Sequence, residues 1–143
     1  MPIVERSALV TFTPAQMYTL VNDVARYPEF LPWCVSAQAQ ELSPTETLAA
    51  LKVAKGMVHM QFTTRNIVRP DSEILMELAE GPFNRLTGRW TFDALGERGS
   101  RVLFKVDFEF KSRIMAAALN PMFQSVCDSI VDAFVSRAQS VYR

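Results

Sequence analysis

Arg101-Val102-Leu103-Phe104-Lys105-Val106-Asp107-Phe108-Glu109-Phe110-Lys111-Ser112-Arg113 is the stretch whose reading decides the fold. Val102, Phe104, Val106, Phe108 and Phe110 alternate with Arg101, Lys105, Asp107, Glu109 and Lys111, and only Leu103 breaks the pattern. A period of two places the apolar side chains on one face, as in an antiparallel strand with one covered and one wet side. At Ser112 the period changes. Leu119, Phe123, Val126, Cys127, Ile130, Phe134, Ala138 and Val141 fall on one side of a helix,. Ser112 suits its N-cap, and a helix over 113–142 would be about 45 Å long. Asn120-Pro121 interrupts it: either Pro121 kinks the helix or Asn120 caps a restart,.

The same alternation extends upstream. Val58, Met60 and Phe62 alternate with His59, Gln61 and Thr63, and Leu86, Gly88, Trp90, Phe92 and Ala94 alternate with Arg85, Thr87, Arg89, Thr91 and Asp93. Turn signals at Ser43-Pro44-Thr45, Pro70-Asp71-Ser72, Gly81-Pro82 and Gly96-Glu97-Arg98-Gly99 separate strands from Cys34 to Phe110, two of them near 38–42 and 48–54,. At the other end, 3–12 reads as a strand. Thr13-Pro14-Ala15-Gln16 then reads as a capping box with proline at the first helical position,. Met17, Leu20, Val21 and Val24 make the stripe of a short helix. Asp23 suits the cap of a second short turn, and Pro28 and Pro32 end helical structure,. The expected class is α+β: one domain over 1–143, with a curved antiparallel sheet of about six or seven strands wrapped round the C-terminal helix, and two short helices after the first strand. A twisted sheet closed by one helix leaves a space, expected at the size usual for ligand sites, on the order of 300–1,000 Å³.

Composition narrows the chemistry. The chain has 143 residues, 49% apolar and ten of them Phe, and 15 cationic side chains balance 15 acidic ones. Zero net charge speaks against broad attraction to DNA, though not against a local basic patch. Continuous apolar runs fall short of the ~18 residues that span a bilayer. Met1-Pro2-Ile3-Val4-Glu5 lacks the pattern of a signal peptide, and the two cysteines, Cys34 and Cys127, form no CxxC pair, so a cytoplasmic protein with reduced thiols is expected,.

The sequence offers little for catalysis. The single histidine, His59, falls on the wet parity of its strand, so no His-based triad or multi-His metal site can be assembled,. Asp93, Asp107 and Glu109 also fall on wet positions, and Asp128 and Asp132 share a solvated helix face. No glycine-rich loop cradles a phosphate,. Neither an enzyme nor a required cofactor is expected. The inward face instead carries Phe62, Trp90, Phe92, Phe104 and Phe108, joined by Met60 and Met76. Thr64 and Asn66 continue the inward parity of the Phe62 strand. Two neutral hydrogen-bonding groups at the end of an apolar face suit an apolar ligand with a polar head. Phe30-Leu31-Pro32-Trp33 reads either as an inward lid or as a transient membrane contact,.

Several motifs then combine: Val21-Asn22-Asp23-Val24, Tyr27-Pro28-Glu29-Phe30-Leu31-Pro32-Trp33-Cys34, Phe62-Thr63-Thr64-Arg65-Asn66, Gly81-Pro82-Phe83, and Phe108-Glu109-Phe110 before the long helix. In this order and spacing the chain resembles the coenzyme-Q-binding and ribosome-association-toxin branch of the START-like superfamily. The resemblance runs end to end and implies a helix-grip fold with an elongated cavity. It also implies two functions. One is carriage of ubiquinone or a similar isoprenoid quinone in support of respiration. The candidate ligand-binding residues for it are Tyr27, Phe30, Leu31, Trp33, Phe62, Thr64, Asn66, Met76, Trp90, Phe92, Phe104, Phe108, Phe123 and Ile130. The other is binding to the large ribosomal subunit, which blocks subunit joining; outward Arg85, Arg89, Arg101, Lys105, Lys111 and Arg113 are its candidate contacts. With no mitochondrial targeting segment in view, a bacterial member is expected. The inward aromatics put the lipophilic ligand first and the ribosome second.

Overall fold

A computed structural model describes residues 3–142. Met1, Pro2 and Arg143, which the sequence reading includes in its single domain, lie outside the described residues. Strand β1 (Ile3–Val10) leads to helix α1 (Pro14–Asn22) and a 3-10 helix (Val24–Glu29). A six-strand meander follows: β2 (Cys34–Ser43), β3 (Glu46–Lys55), β4 (Val58–Arg69), β5 (Glu73–Glu80), β6 (Phe83–Leu95) and β7 (Gly99–Phe110). Helix α2 (Arg113–Val141) closes the chain. All pairings are antiparallel, and the seven strands lie in the order β1-β7-β6-β5-β4-β3-β2. The first strand thus pairs with the last, and β1 and β2 are the open edges.

The local signals act as expected at the caps. The Thr13 hydroxyl accepts from the Gln16 N–H at 3.2 Å, and the Gln16 side chain accepts from the Thr13 N–H at 2.9 Å. Ser112 accepts from the Met115 N–H at 3.1 Å at the start of α2. Three expectations need correction. The first strand ends at Val10, two residues early. Asp23 makes no side-chain cap; its carboxylate pairs instead with Arg26 at 2.9 Å. Asn120 does not restart a helix, because α2 runs through Pro121 without a break. Proline there leaves the carbonyl of Ala117 without its helical donor, and Ala117 is exposed, so water can hydrate it,.

Parity along β7 is as read: Val102, Phe104, Val106, Phe108 and Phe110 are all buried. One register shift alters the sheet's inner face. Between Phe83 and Arg85 the pairing with β7 slips by one residue, leaving Asn84 as a bulge. Phe83 therefore points inward, on the same face as Leu86 and Trp90, although simple alternation along β6 would turn it out. It is among the most deeply buried side chains of the protein. Gly81 lies just before it with φ 150°. A Cβ there would come within 2.8 Å of the Phe62 Cβ, so only glycine lets Phe62 settle against this corner,.

Helix α2 has 29 residues, about 44 Å of rise,. By length and composition it would suffice to cross a membrane, a test that the core helix of a globular fold also passes. Its Met122, Phe123, Val126, Cys127, Val131, Phe134 and Ala138 are buried. Its first turn is exposed, with Ile114 84% exposed, while Ala116 and Leu119 already pack against the core. Three polar links tie the helix to its surroundings: Arg6 of β1 to Asp128, the Lys55 ammonium to the Ser125 hydroxyl at 2.8 Å, and Arg137 to Glu29 at 3.0 Å. All involve exposed or half-exposed groups, so each contributes little, about 0–1 kcal/mol.

Two predictions follow from this packing. Phe108→Ala removes a fully buried ring that Phe83, Phe110 and Phe123 surround, and should lower unfolding stability by about 3–5 kcal/mol, whereas Ile114→Ser should change it by less than about 0.5 kcal/mol,. Denaturant melts of the two variants measure the contrast. The second concerns the buried thiols: burial pushes Cys34 up to about 11 and Cys127 up to about 12. Both stay protonated in the fold, so their share of stability is complete below the unfolded thiol pKa of about 8.5 and is lost as pH rises through 11 and 12,. A disulfide exchange reagent at pH 8 should label the native chain roughly 100-fold more slowly than the urea-unfolded chain; equal rates would contradict the burial.

Candidate functional site

Along α2, Phe123 and Phe134 lie eleven residues apart, which returns them to nearly the same helix face. Each is the centre of an aromatic cluster. Phe123 packs on Phe108 (4.7 Å between ring centroids), Phe83 (5.2 Å) and Phe62 (5.9 Å). Phe134 packs on Trp90 (5.3 Å), Phe30 (5.3 Å) and Tyr27 (5.4 Å), all near edge-to-face. Between the clusters the helix presents only Val126, Cys127 and Ile130, and the sheet opposite offers Ala49, Thr64, Asn66 and Gly88. Smaller side chains facing one another leave a gap, and the cavity is there.

Its volume is about 80 Å³, well below the expected several hundred. The flexible Met76 accounts for part of this. Gly88 has no side chain, and the Met76 methyl lies where its Cβ would be, 2.5 Å away. The thioether thus occupies floor space between β5 and β6. The wall is almost wholly apolar.

The structure brings together ten of the fourteen candidate residues on this cavity: Tyr27, Trp33, Phe62, Thr64, Asn66, Met76, Trp90, Phe104, Phe123 and Ile130. Four do not reach it. Phe92 lies under α1, edge-on to Tyr18 at 5.9 Å. Phe108 is sealed within the Phe123 cluster. Leu31 is 1% exposed in the core. Phe30 meets Phe134 edge-to-face, with the Arg137 guanidinium 4.8 Å above its ring. The loop 30–33 is therefore folded inward, and Trp33 is the part that borders the cavity. The Trp33 carbonyl accepts from the Ala54 N–H at 2.9 Å, which pins the loop to β3. Inward parity alone could not separate core from cavity wall. Val24, Ala49, Leu51, Leu86, Gly88, Val106, Val126 and Cys127 also line the cavity and were not among the candidates. Small residues on the inward face, Ala49 and Gly88 above all, were the signal that could have found them.

Polar groups on the cavity are few. The Tyr27 hydroxyl is spent on the Val21 carbonyl, and burial pushes this phenol well above its ordinary range. Cys127 is held as the neutral thiol. Thr64 and Asn66, 6% and 7% exposed, sit side by side on β4, and the Thr64 hydroxyl donates to the Asn66 Oδ1 at 2.7 Å. His59 and Asp93 are exposed, Asp128 pairs with Arg6, and Asp107 and Glu109 pair with Arg85. Among the described residues no three His, Cys, Asp or Glu side chains converge as a metal site.

The outward face of the sheet carries mixed charge. Arg85 reaches Asp107 at 2.9 Å and Glu109 at 3.4 Å, and Arg89 lies 3.7 Å from Glu73. Lys105 stands in register between Glu5 and Arg89, and Arg101 opposite Asp93. The expected basic stripe is thus interleaved with acids. Lys111 and Arg113, at the exposed start of α2, stand apart from it.

The profile of the family described as polyketide cyclase / dehydrase and lipid transport matches residues 10–135. The chain is 42% identical over 139 residues to the ribosome association toxin RatA of Pseudomonas aeruginosa, covering 97% of this chain and 96% of that one. It is 30% identical over 139 residues to the mitochondrial coenzyme Q-binding protein COQ10 of Drosophila melanogaster, covering 94% of this chain and 57% of that one. Among solved structures, a START superfamily protein from Mycobacterium smegmatis superposes with a TM-score of 0.80 at 16% identity, covering 97% of this chain and 98% of that one. The Zhui aromatase/cyclase from Streptomyces sp. R1128 gives 0.82 at 17%, covering 99% and 96%. At such identities these two bear on the fold alone. The helix-grip architecture, the cavity between sheet and helix, and the match across most of the length agree: this chain belongs to the START-like polyketide cyclase / dehydrase and lipid transport family.

Proposed function

We propose that this chain is a cytoplasmic, non-enzymatic protein that associates with the ribosome. The observation that carries the reading is the end-to-end likeness to a protein named as a ribosome association toxin. Identity of 42% over 139 residues amounts to about 58 shared positions, whereas 29 apolar and 3 polar described residues are buried. A large part of the likeness therefore lies on partly or fully exposed positions, where a partner would be met. This reverses the order of preference given by the inward aromatics.

With zero net charge, contact with ribosomal phosphates must come from a local patch,. Arg85 and Arg89 already neutralise acids within the sheet, so the exposed Lys111 and Arg113 at the start of α2 are the better candidates. Co-sedimentation with purified ribosomal subunits tests the reading. The wild type should travel with the large subunit, less so as salt rises. Lys111→Glu with Arg113→Glu should weaken binding about tenfold or more, with little change in stability. No co-sedimentation at low salt would refute ribosome association, and undiminished binding by the double variant would move the contact elsewhere.

A second reading is supported by a different observation, the apolar cavity with a buried polar pair at its wall: the chain holds a small lipophilic molecule, as the name of the Drosophila relative suggests for that protein. At about 80 Å³ the cavity takes only the leading end of such a ligand unless Met76 and Trp33 move. The two readings use different residues, the start of α2 for one and the cavity wall for the other, and do not compete for them.

A further inference from the structure

The two open edges of the sheet are defended unequally. On β1 the charged pair Glu5 and Arg6 sits mid-strand, and the Arg6 guanidinium donates to the Glu5 carbonyl at 2.7 Å and pairs with Asp128 of α2. Charged side chains are a usual means of keeping an edge from pairing with another chain. β2 lacks them along its middle. From Ser36 to Glu41 it pairs with β3 in unbroken register, with irregularities only between Cys34 and Ser36 and between Glu41 and Ser43. The run Ser36-Ala37-Gln38-Ala39-Gln40 carries no charge and no proline. The 3-10 helix packs against β2, yet residues 38–42 are all exposed. One row of backbone N–H and C=O groups on this strand therefore faces water, ready to pair,. Beside it on the outer face, where Ala50 of β3 stands between Gln38 and Thr63, lies a polar dish of about 400 Å³ edged by Ser36, Gln38, Lys52, Gln61, Thr63 and Glu80.

We propose that β2 is a self-association surface: two copies of this chain pair β2 to β2, antiparallel and centred near Ala39, which joins their sheets into one. The occupant is a second copy because the strand is its own complement. In this register Ala39 faces Ala39, and Gln38 of each copy stands opposite Gln40 of the other on the outer face. Small side chains at the centre let the backbones close to the usual spacing of about 4.8 Å, and opposed amides donate to and accept from one another. Glu41, the single charge on β2, falls opposite Ala37. The two Glu41 carboxylates are then about 14 Å apart along the strands, beyond the screening length at physiological salt. The glutamines that the second copy brings beside the dish are neutral and polar, as most of its rim is. A contact of one short strand buries less than the ~1,000 Å² of a stable interface, so the dimer is weak, with a Kd on the order of 10–100 μM. The surface uses residues of neither the cavity wall nor the start of α2, and neither functional reading depends on it.

Analytical ultracentrifugation of the whole chain in about 0.15 M salt, from about 5 to about 500 μM protein, tests the proposal. Wild type should be a dimer at the upper end of this range. Gln38→Lys with Gln40→Lys sets like charges opposite each other and should weaken the dimer about tenfold or more, and Gln38→Glu with Gln40→Glu should do the same. An equimolar mixture of the two double variants should dimerise again, because each lysine then meets a glutamate. Both positions are exposed, so thermal melts of the variants should match wild type,. A wild type that stays monomeric at the highest concentration would overturn the proposal. So would a lysine variant that dimerises like wild type, or a mixture that stays monomeric. Should a variant fail to fold, hydrogen exchange of the wild type decides. Amides within 38–42 should exchange about threefold or more slowly at the highest concentration than at the lowest, with those of β1 unchanged. Equal rates at both concentrations, or slowing on β1 instead, would refute the pairing.

Discussion

The burial of one face of α2 in the concave side of the sheet is the interaction on which the rest depends. The sheet cannot stand alone, because its inner face is a field of Val, Phe and Trp, and α2 by itself would expose Phe123, Phe134 and their neighbours. Each fully buried ring contributes about 1.5–3 kcal/mol, and ten or so meet here, which far outweighs the exposed ion pairs that decorate the same contact. The sheet must curl to meet a cylinder, and its twist and bulges let it do so. The bulge at Asn84 shows the coupling directly: it turns Phe83 into the core, where the ring stacks on Phe110 at 4.6 Å and meets Phe123.

The cavity is a by-product of how that contact is made. Two aromatic clusters hold the helix off the sheet, and smaller residues between them cannot fill the interval. A uniformly large stripe would have closed it; a uniformly small one would have let the helix settle closer. Family resemblance alone would lead one to expect a roomy pocket, but in this chain Met76 and the inward Trp33 leave a narrow one. Any molecule that enters must move side chains, and the two groups best suited to moving are an unbranched thioether and a loop residue. That loop is held at its other end by Phe30 between Phe134 and Arg137.

The outer face obeys different rules. Side chains of both signs are mixed there on β5, β6 and β7, and several are paired. Such a surface carries no strong field of its own. The start of α2 is different in kind, since Lys111 just before it and Arg113 and Ile114 in its first turn are exposed to solvent. A helix that serves as the core at one end and as free surface at the other gives a single element two environments.

Much was settled by the sequence itself. Period two along β7, the change to helical period at Ser112, and the capping pairs at Thr13 and Ser112 are local properties, and backbone sterics and hydrogen bonding express them wherever the chain goes. The inward placement of Thr64 and Asn66 was legible for the same reason. Other features were decided only by tertiary structure. Periodicity says that Phe92 and Phe108 on their strands and Ile130 on its helix point inward, but whether an inward side chain borders a gap or is sealed depends on what another element sets opposite it. Phe108 meets Phe123 and is sealed, whereas Thr64 meets the small residues of α2 and is not. Phe83 needed a bulge that exists only once β6 has paired with β7, and Pro121 was tolerated because its freed carbonyl faces water. Alternation is a property of one strand, while cavities and bulges are properties of two or more elements fitted together, and only the fitted structure contains them.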